Sequence, residues 1–288
     1  KFMKSIKYFL EFIIIKFFFL ICKILGYKIS SSLGYFIGRF LGPFFRSRSK
    51  ILNNLEKSKI GKSDIERNKI ITSMWGHYGR ILSDYIFLNQ FRNGKLRNHI
   101  KINGLKYLDK IIKEKKPVVF ISGHFNNFEL MAMQIENYGI KLAAIYRPLN
   151  NFFLNGTMEK IRKNYICKNQ IKKGRSGTRK ILEAIKSGHS IALMIDQRVS
   201  EGIAAKLFSR DCLTTTIPAQ LVKKYNCEVV PVYIERINNI DFELYFYEPL
   251  IFNKEKSIPE ITTDLNNVLE QLILKNPNQW IWSHDRWK

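Results

Sequence analysis

Pro117-Val118-Val119-Phe120-Ile121-Ser122-Gly123-His124-Phe125-Asn126-Asn127-Phe128-Glu129 is where the chain changes its hydrophobic period. Residues 117–121 form a short continuous apolar run, the pattern of a strand buried on both faces. Upstream the spacing is helical. Ser63 makes a good N-cap with Glu66 three residues on, and apolar positions recur at Ile70, Ile71, Met74, Trp75, Ile81, Leu82, Ile86 and Phe87. Two or more helices fit 64–91 and another fits 104–114. Downstream, strand-like runs return at Leu142–Tyr146, Ile191–Ile195 and Val229–Ile234, and Phe242–Tyr247 reads as a further strand at a sheet edge. Helical segments separate them at 127–137, 152–163, 177–187, 215–225 and 258–274. Strand and helix alternate, which predicts an α/β fold: a mixed, mostly parallel sheet covered by helices.

The 288 residues are enough for a sizeable core, and one domain behind an N-terminal extension is the simplest organisation. A hydrophobic fraction of 45% is that of a globular protein and speaks against a polytopic membrane protein. Lys+Arg total 48 against 24 Asp+Glu, a net charge of +24 that attracts polyanions: nucleic acid, anionic lipid headgroups or acidic proteins. The basic residues are spread along the whole chain with no zinc-finger spacing or recognised nucleic-acid-binding motif, so nucleic acid is not an expected partner. Cys22, Cys167, Cys212 and Cys227 form no C-x-x-C pair and read as free thiols. No histidine stands at recognisable ligand spacing from a carboxylate, so neither a metal nor a cofactor is expected.

Residues 5–26 are long enough to span a bilayer as a helix, but Glu11, Lys16 and Lys23 interrupt them. Lys7 and Glu11 make an i,i+4 pair, Lys16 and Lys23 lie one heptad apart, and the opposite face carries Ile13, Phe17, Leu20, Ile21 and Ile24. That pattern suits a helix lying in the membrane interface, or one spanning with its lysines snorkelling. No small-x-small cleavage site follows cleanly, and residues 34–50 continue aromatic and basic. Residues 1–50 are therefore expected to be a membrane-attachment region with its basic flank on the cytoplasmic side, and residues 51–288 the α/β domain.

Ligands of α/β sheets sit beyond the carboxyl ends of the strands. His124, Arg147 and Asp196 each follow such an end and can converge on one mouth. On a continuous helix, side chains five residues apart would diverge by about 140°. His124 and Glu129 therefore meet only if His124 precedes the helix and Glu129 lies in its first turn, with Asn126 as N-cap. A carboxylate so placed fixes the imidazole tautomer and stabilises the imidazolium, making the histidine a general base for an alcohol. The residue types alone favour the plainer reading, a helix cap, Asn126-x-x-Glu129, beside a hydrogen-bonded core histidine.

Further motifs follow in order: Tyr146-Arg147-Pro148, Lys173-Gly174-Arg175, Ile195-Asp196-Gln197, Leu207-Phe208 ahead of Thr214-Thr215-Thr216, and a terminal Gln279-Trp280-Ile281-Trp282-Ser283-His284-Asp285-Arg286-Trp287. Together with the H-x4-D/E pattern of His124 and Glu129, the chain resembles, over roughly its whole length, the lipid A late (lauroyl/myristoyl) acyltransferases. Arg198 after Gln197 and Leu207 before Phe208 depart from the pattern. The resemblance implies a glycerolipid-acyltransferase-like fold, His124 as general base and Glu129 as its orienting partner. It also implies substrate contacts from Arg147, Arg175, Asp196 and Gln197, with Tyr146 and Phe208 as candidates for an acyl channel. The donor would be an acyl-acyl carrier protein, the acceptor a hydroxyl of a lipid A precursor, and the place the cytoplasmic face of the inner membrane, among membrane lipids. An acceptor such as a lysophospholipid or ornithine-type lipid is the alternative within the same chemistry. A non-catalytic basic membrane- or nucleic-acid-binding protein is the alternative outside it.

Overall fold

The computed structural model describes residues 2–288, apart from the side chain of Arg175. The chain opens with α1 (Phe2–Phe45), which is broken at Gly26, where φ is 73°. Then come α2 (Arg48–Ser58), α3 (Asp64–Asp84) and α4 (Leu88–Asn93). The remainder alternates: β1 (Ile100–Asn103), α5 (Leu105–Glu114), β2 (Val119–Ser122), α6 (Glu129–Asn137), β3 (Leu142–Tyr146), α7 (Phe152–Tyr165), β4 (Asn169–Lys172), α8 (Arg175–Lys186) and β5 (Ser190–Met194). A hairpin, β6 (Ile203–Leu207) and β7 (Arg210–Thr214), precedes α9 (Ile217–Tyr225), β8 (Val229–Ile237), β9 (Asp241–Phe246) and α10 (Ile258–Lys275).

The seven-stranded sheet runs β1-β9-β8-β2-β5-β3-β4. Neighbours are parallel except β8 and β9, so the sheet is mixed and mostly parallel, as the alternation predicts. Its centre is the apolar run the sequence pointed to, since every residue of β2 is buried. The strands that periodicity did not reveal, β1 (IKIN) and β4 (NQIK), are the two edges. An edge strand needs to be apolar on fewer sides, so it leaves no continuous hydrophobic run. β9, expected at an edge, lies one strand inward because β1 covers it. Helix starts follow local chemistry. Ser63 Oγ accepts the Glu66 N–H at 3.2 Å, and Ser257 with Glu260 closes a capping box on α10.

The part of α1 after Gly26 belongs to the domain. Tyr27, Ser30, Ser31, Gly34 and Gly42 are buried, and the two backbones approach so closely that a Cβ on Gly79 of α3 would overlap the Gly34 carbonyl oxygen. A Cβ on Gly38 would likewise overlap the Trp75 carbonyl. The part before Gly26 is different: Ile13, Phe17, Leu20 and Ile24 are 47–77% exposed, and they belong to the apolar face read from the sequence. No helix among the described residues is long and apolar enough to cross a membrane.

The glycine contact gives a stability prediction. Gly79→Val forces side-chain volume into the α1–α3 backbone contact and should lower the unfolding free energy by about 1–3 kcal/mol. Gly156→Ala, where a Cβ meets nothing within 4 Å on helix α7, should be neutral or stabilising by up to about 1 kcal/mol. Urea titrations of both variants check this; equal stability of the Gly79→Val protein and the parent would remove the close packing from the account.

Candidate active site

β2 ends at Ser122, whose hydroxyl donates to the Val232 carbonyl of β8 at 2.6 Å, and Ile195 N–H after β5 donates to the Ser122 carbonyl at 2.9 Å. These bonds bring the ends of two adjacent parallel strands level, with His124 after one and Asp196 after the other. His124 Nδ1–H donates to Asp196 Oδ1 at 2.8 Å, and the His124 backbone N–H donates to Oδ2 at 2.7 Å. The Trp280 indole N–H also donates to Oδ2, at 2.9 Å. The Asp196 side chain is completely buried. Burial alone would raise its carboxyl, but the charge of His124, its ring and backbone hydrogen bonds and the Trp280 indole outweigh that and hold the pKa below the ordinary carboxylate value. The imidazole also rests edge-on against Phe128, 4.7 Å between ring centres. Its Nε2 makes no hydrogen bond among the described residues, and the ring lines a cleft of about 420 Å³.

The expected partner of His124 is elsewhere. Glu129 is the first residue of α6, as the argument from helix geometry requires, but its Oε1 accepts from Arg162 Nε at 2.8 Å and Nη2 at 2.6 Å, and from the Tyr85 hydroxyl. This ion pair is largely buried, with 12% and 8% of the side chains exposed. Burial works against the Arg162 charge, but Glu129 and Tyr85 more than offset it and keep its pKa above the ordinary value. Glu129 and Arg162 both line the cleft. The helix cap expected at Asn126 is also absent. Asn126 sits in a left-handed turn, φ 36°, because its side chain serves other groups: Oδ1 accepts the Asn127 N–H and Arg236 Nε–H, while Nδ2 donates to His77 Nδ1.

Arg147 and Gln197 line the cleft, as does Tyr146. Asp196 does not: its oxygens are used up behind His124, so an acceptor contact at this residue has no exposed carboxylate to meet. Phe208 packs on Trp287, 6.2 Å between centres, and is not on the cleft wall. The side chain of Arg175 lies outside the described residues. Arg46, Lys173 and His284 join the wall. His284 Nε2 accepts the Arg198 backbone N–H at 3.0 Å, and its burial lowers its pKa. Arg162 carried no signal in a chain with 48 basic residues. Trp280 belongs to the C-terminal motif 279–287, but nothing local in the sequence points its indole at Asp196.

A family model of bacterial lipid A biosynthesis acyltransferases matches residues 1–288. The lipid A biosynthesis palmitoleoyltransferase of Escherichia coli (strain K12) is 23% identical over 269 residues, covering 92% of this chain and 86% of the relative. The lipid A biosynthesis lauroyltransferase of the same organism is 22% identical over 273 residues, covering 92% and 87%. A crystal structure of the 1-acyl-sn-glycerophosphate acyltransferase PlsC from Thermotoga maritima superposes with a TM-score of 0.45 at 14% identity, covering 88% of this chain and 99% of that one.

The cleft region carries a pH dependence. His77, behind the His124 loop, has its pKa lowered from 6.5 to about 3 by burial and by the charges of Arg236 and Arg80. A lowered folded-state value means that the unfolded chain takes up the proton first. The stability from neutral His77 is thus complete above pH 6.5 and declines as the pH falls from 6.5 toward about 3, by at most about 1.4 kcal/mol per pH unit. Denaturation at pH 7.5 and pH 5 should therefore show acid destabilisation that is smaller in His77→Asn. His284 contributes the same sign in both proteins, so the difference isolates His77, and identical pH slopes would refute the assignment.

Proposed function

This chain belongs to the bacterial lipid A biosynthesis acyltransferase family, and we propose that it moves a fatty acyl group from an acyl-carrier-protein thioester to a hydroxyl of a lipid A precursor, with His124 as general base. The observation that carries this reading is the ring of His124, anchored by Nδ1–H on buried Asp196 and presenting at the cleft wall an Nε2 with no partner among the described residues. Nε2 takes the proton of the acceptor hydroxyl as its oxygen attacks the thioester carbonyl. The tetrahedral intermediate collapses, the C–S bond breaks, and the imidazolium returns its proton to the departing thiolate. Throughout, the Asp196 carboxylate balances the imidazolium charge and fixes the tautomer. No covalent enzyme intermediate is required: the four cysteines are buried and free, and burial raises the thiol pKa of each.

In this mechanism Asp196 takes the orienting part first expected of Glu129. Glu129 and Arg162 form a fixed charged pair in the cleft wall that the substrate must pass, and Arg147 with Lys173 supplies cations at the same cleft for anionic groups of the lipid or the donor arm. The net charge of +24 suits an acidic carrier protein. For the membrane, the support is the face of α1 that carries Phe17 and Ile24, 64% and 77% exposed, with Lys16 and Lys23 also exposed beside it. Such a helix lies in the interface of an anionic leaflet, here the cytoplasmic face of the inner membrane.

With acyl-carrier-protein donors and a lipid A precursor, His124→Ala should lower kcat by about 10²–10⁴-fold with little change in donor binding. Asp196→Asn should act in the same direction, since an amide can hold the ring in the wrong tautomer. A well-folded His124→Ala protein with parental turnover would end the general-base reading. For the membrane, Phe17→Lys with Ile24→Lys changes only exposed side chains. Flotation with vesicles containing anionic phospholipid should show most of the parent bound and most of the variant free; equal flotation would exclude this face as the attachment surface.

A further inference from the structure

Behind the His124 loop lies a second group of charges that takes no part in the chemistry above. Asp84 at the end of α3 and Arg236 near the end of β8 are ion-paired, and both side chains are 0% exposed. Taking two charges out of water costs several kcal/mol per ion, and replacing such a pair by apolar groups of similar size is often neutral or stabilising. Stability alone therefore gives no reason for a charged pair at this place, but its remaining hydrogen bonds do.

Each half of the pair holds one residue of the loop that follows His124. Arg236 Nε–H donates to Asn126 Oδ1 at 3.1 Å, and Asp84 Oδ2 accepts from Asn127 Nδ2 at 2.9 Å. Between these anchors the backbone takes the left-handed turn at Asn126, φ 36°, a conformation that asparagine tolerates better than most L residues and that its side-chain contacts hold here. Arg236 reaches the loop by a second route. Its backbone N–H donates to Gln279 Oε1 at 2.8 Å and its carbonyl accepts from Gln279 Nε2 at 2.9 Å, while the Gln279 carbonyl accepts the Asn126 N–H at 2.9 Å. The next residue is Trp280, which holds Asp196. Both partners of the His124–Asp196 contact are thus referred to Arg236, the His124 loop through its guanidinium and Asp196 through its backbone. That guanidinium also donates through Nη1 to the Tyr27 hydroxyl at 3.2 Å, just past the break in α1.

We propose that Asp84 and Arg236 are positioning residues for the general base: the pair fixes the turn at Asn126 and Asn127 so that His124 Nδ1–H meets Asp196, and ties that turn to α1. The proposal rests on the reading of His124 as the base. A fork is needed for this task. Lysine offers a single head and cannot hold Asp84 and Asn126 in one plane, and an apolar pair fills the space without holding the loop.

The test is the double variant Asp84→Leu with Arg236→Met, which leaves neither half of the pair charged without the other, compared with Arg236→Lys, the parent and His124→Ala. The double variant should keep a parental unfolding midpoint yet lose about 10²-fold in kcat, the order expected for a misplacement of about 1 Å, with the KM for acyl-carrier-protein donor unchanged within about twofold. A readout independent of turnover is the downfield proton resonance of His124 Nδ1–H, identified by its loss in His124→Ala; it should disappear or move in the double variant and in Arg236→Lys. A folded double variant with parental kcat and an unmoved resonance overturns the proposal. If the double variant does not fold, Asn126→Gly decides: it keeps the ion pair and accommodates the left-handed turn but removes the side-chain oxygen, and parental kcat with an unmoved resonance in that protein overturns the proposal equally. Full turnover in His124→Ala would instead sink the general-base reading, and the effect of Arg236→Lys on the ring environment, followed through the same resonance, would still decide whether the pair positions the ring.

Discussion

A single buried carboxylate holds three parts of the chain together. Asp196 follows β5, the ring and backbone it binds follow β2, and the indole it accepts from belongs to the C-terminal segment. An isolated carboxylate in so dry a place would be expelled or protonated. It persists as an anion because three N–H groups converge on it, one of them on a ring that can carry positive charge. The same bonds that make its burial tolerable fix the orientation and tautomer of His124. The burial of Asp196 and the orientation of the His124 ring thus share one set of hydrogen bonds.

The support for this centre comes from far away in sequence. The C-terminal segment pairs with the loop through a bridge between Phe125 and Trp280, and its following residues reach the hairpin: Arg286 Nη1 and Nη2 donate to the Leu213 carbonyl and Thr214 Oγ1 at 2.7 and 2.8 Å, and the Trp287 indole to the Leu207 carbonyl at 3.2 Å. The motif residues at the end of the chain are therefore struts for the cleft, with Ile281, Ser283 and His284 in its wall. On the other side, the glycine contact between α1 and α3 places Tyr27 against Arg236 and His77 behind Asn126. The first helix is thus continuous with the site: its outer half presents apolar residues outward, and its inner half touches the network that carries the His124 loop.

The division at Gly26 gives a physical meaning to a helix too charged to span a bilayer and too apolar to lie in water. A membrane interface accepts that composition, because lysine heads remain among headgroups while aromatic and aliphatic side chains enter the acyl boundary. With α1 in such an interface, as proposed, a lipid acceptor approaches along the same surface. Loop 147–151 is joined to the outer half of α1, since Asn151 Nδ2 donates to the Tyr8 carbonyl at 2.8 Å and Glu11 Oε2 at 3.0 Å. The cleft wall that carries Arg147 is thereby placed beside the apolar helix.

Periodicity alone was enough to read the α/β alternation, the central strands and most helix bounds, because burial on both faces of a parallel sheet writes a continuous apolar run into the chain. The edge strands β1 and β4 and the hairpin escaped it, since a strand with one free edge or little cover has no such pattern to keep. That His124 and Asp196 follow the ends of strands was legible in the sequence, but their pairing was not. Five residues of sequence separation made Glu129 the natural partner of His124, whereas the 72 residues to Asp196 vanish once β2 and β5 lie side by side in parallel register. Glu129 in turn found Arg162, an ordinary basic residue in the sequence, once α6 and α7 brought them together. Local sequence determines which segments become helix or strand because those preferences act over a few residues. Which carboxylate faces His124 was decided by tertiary structure alone, because hydrogen bonds depend on separation in space and the sheet order sets that separation.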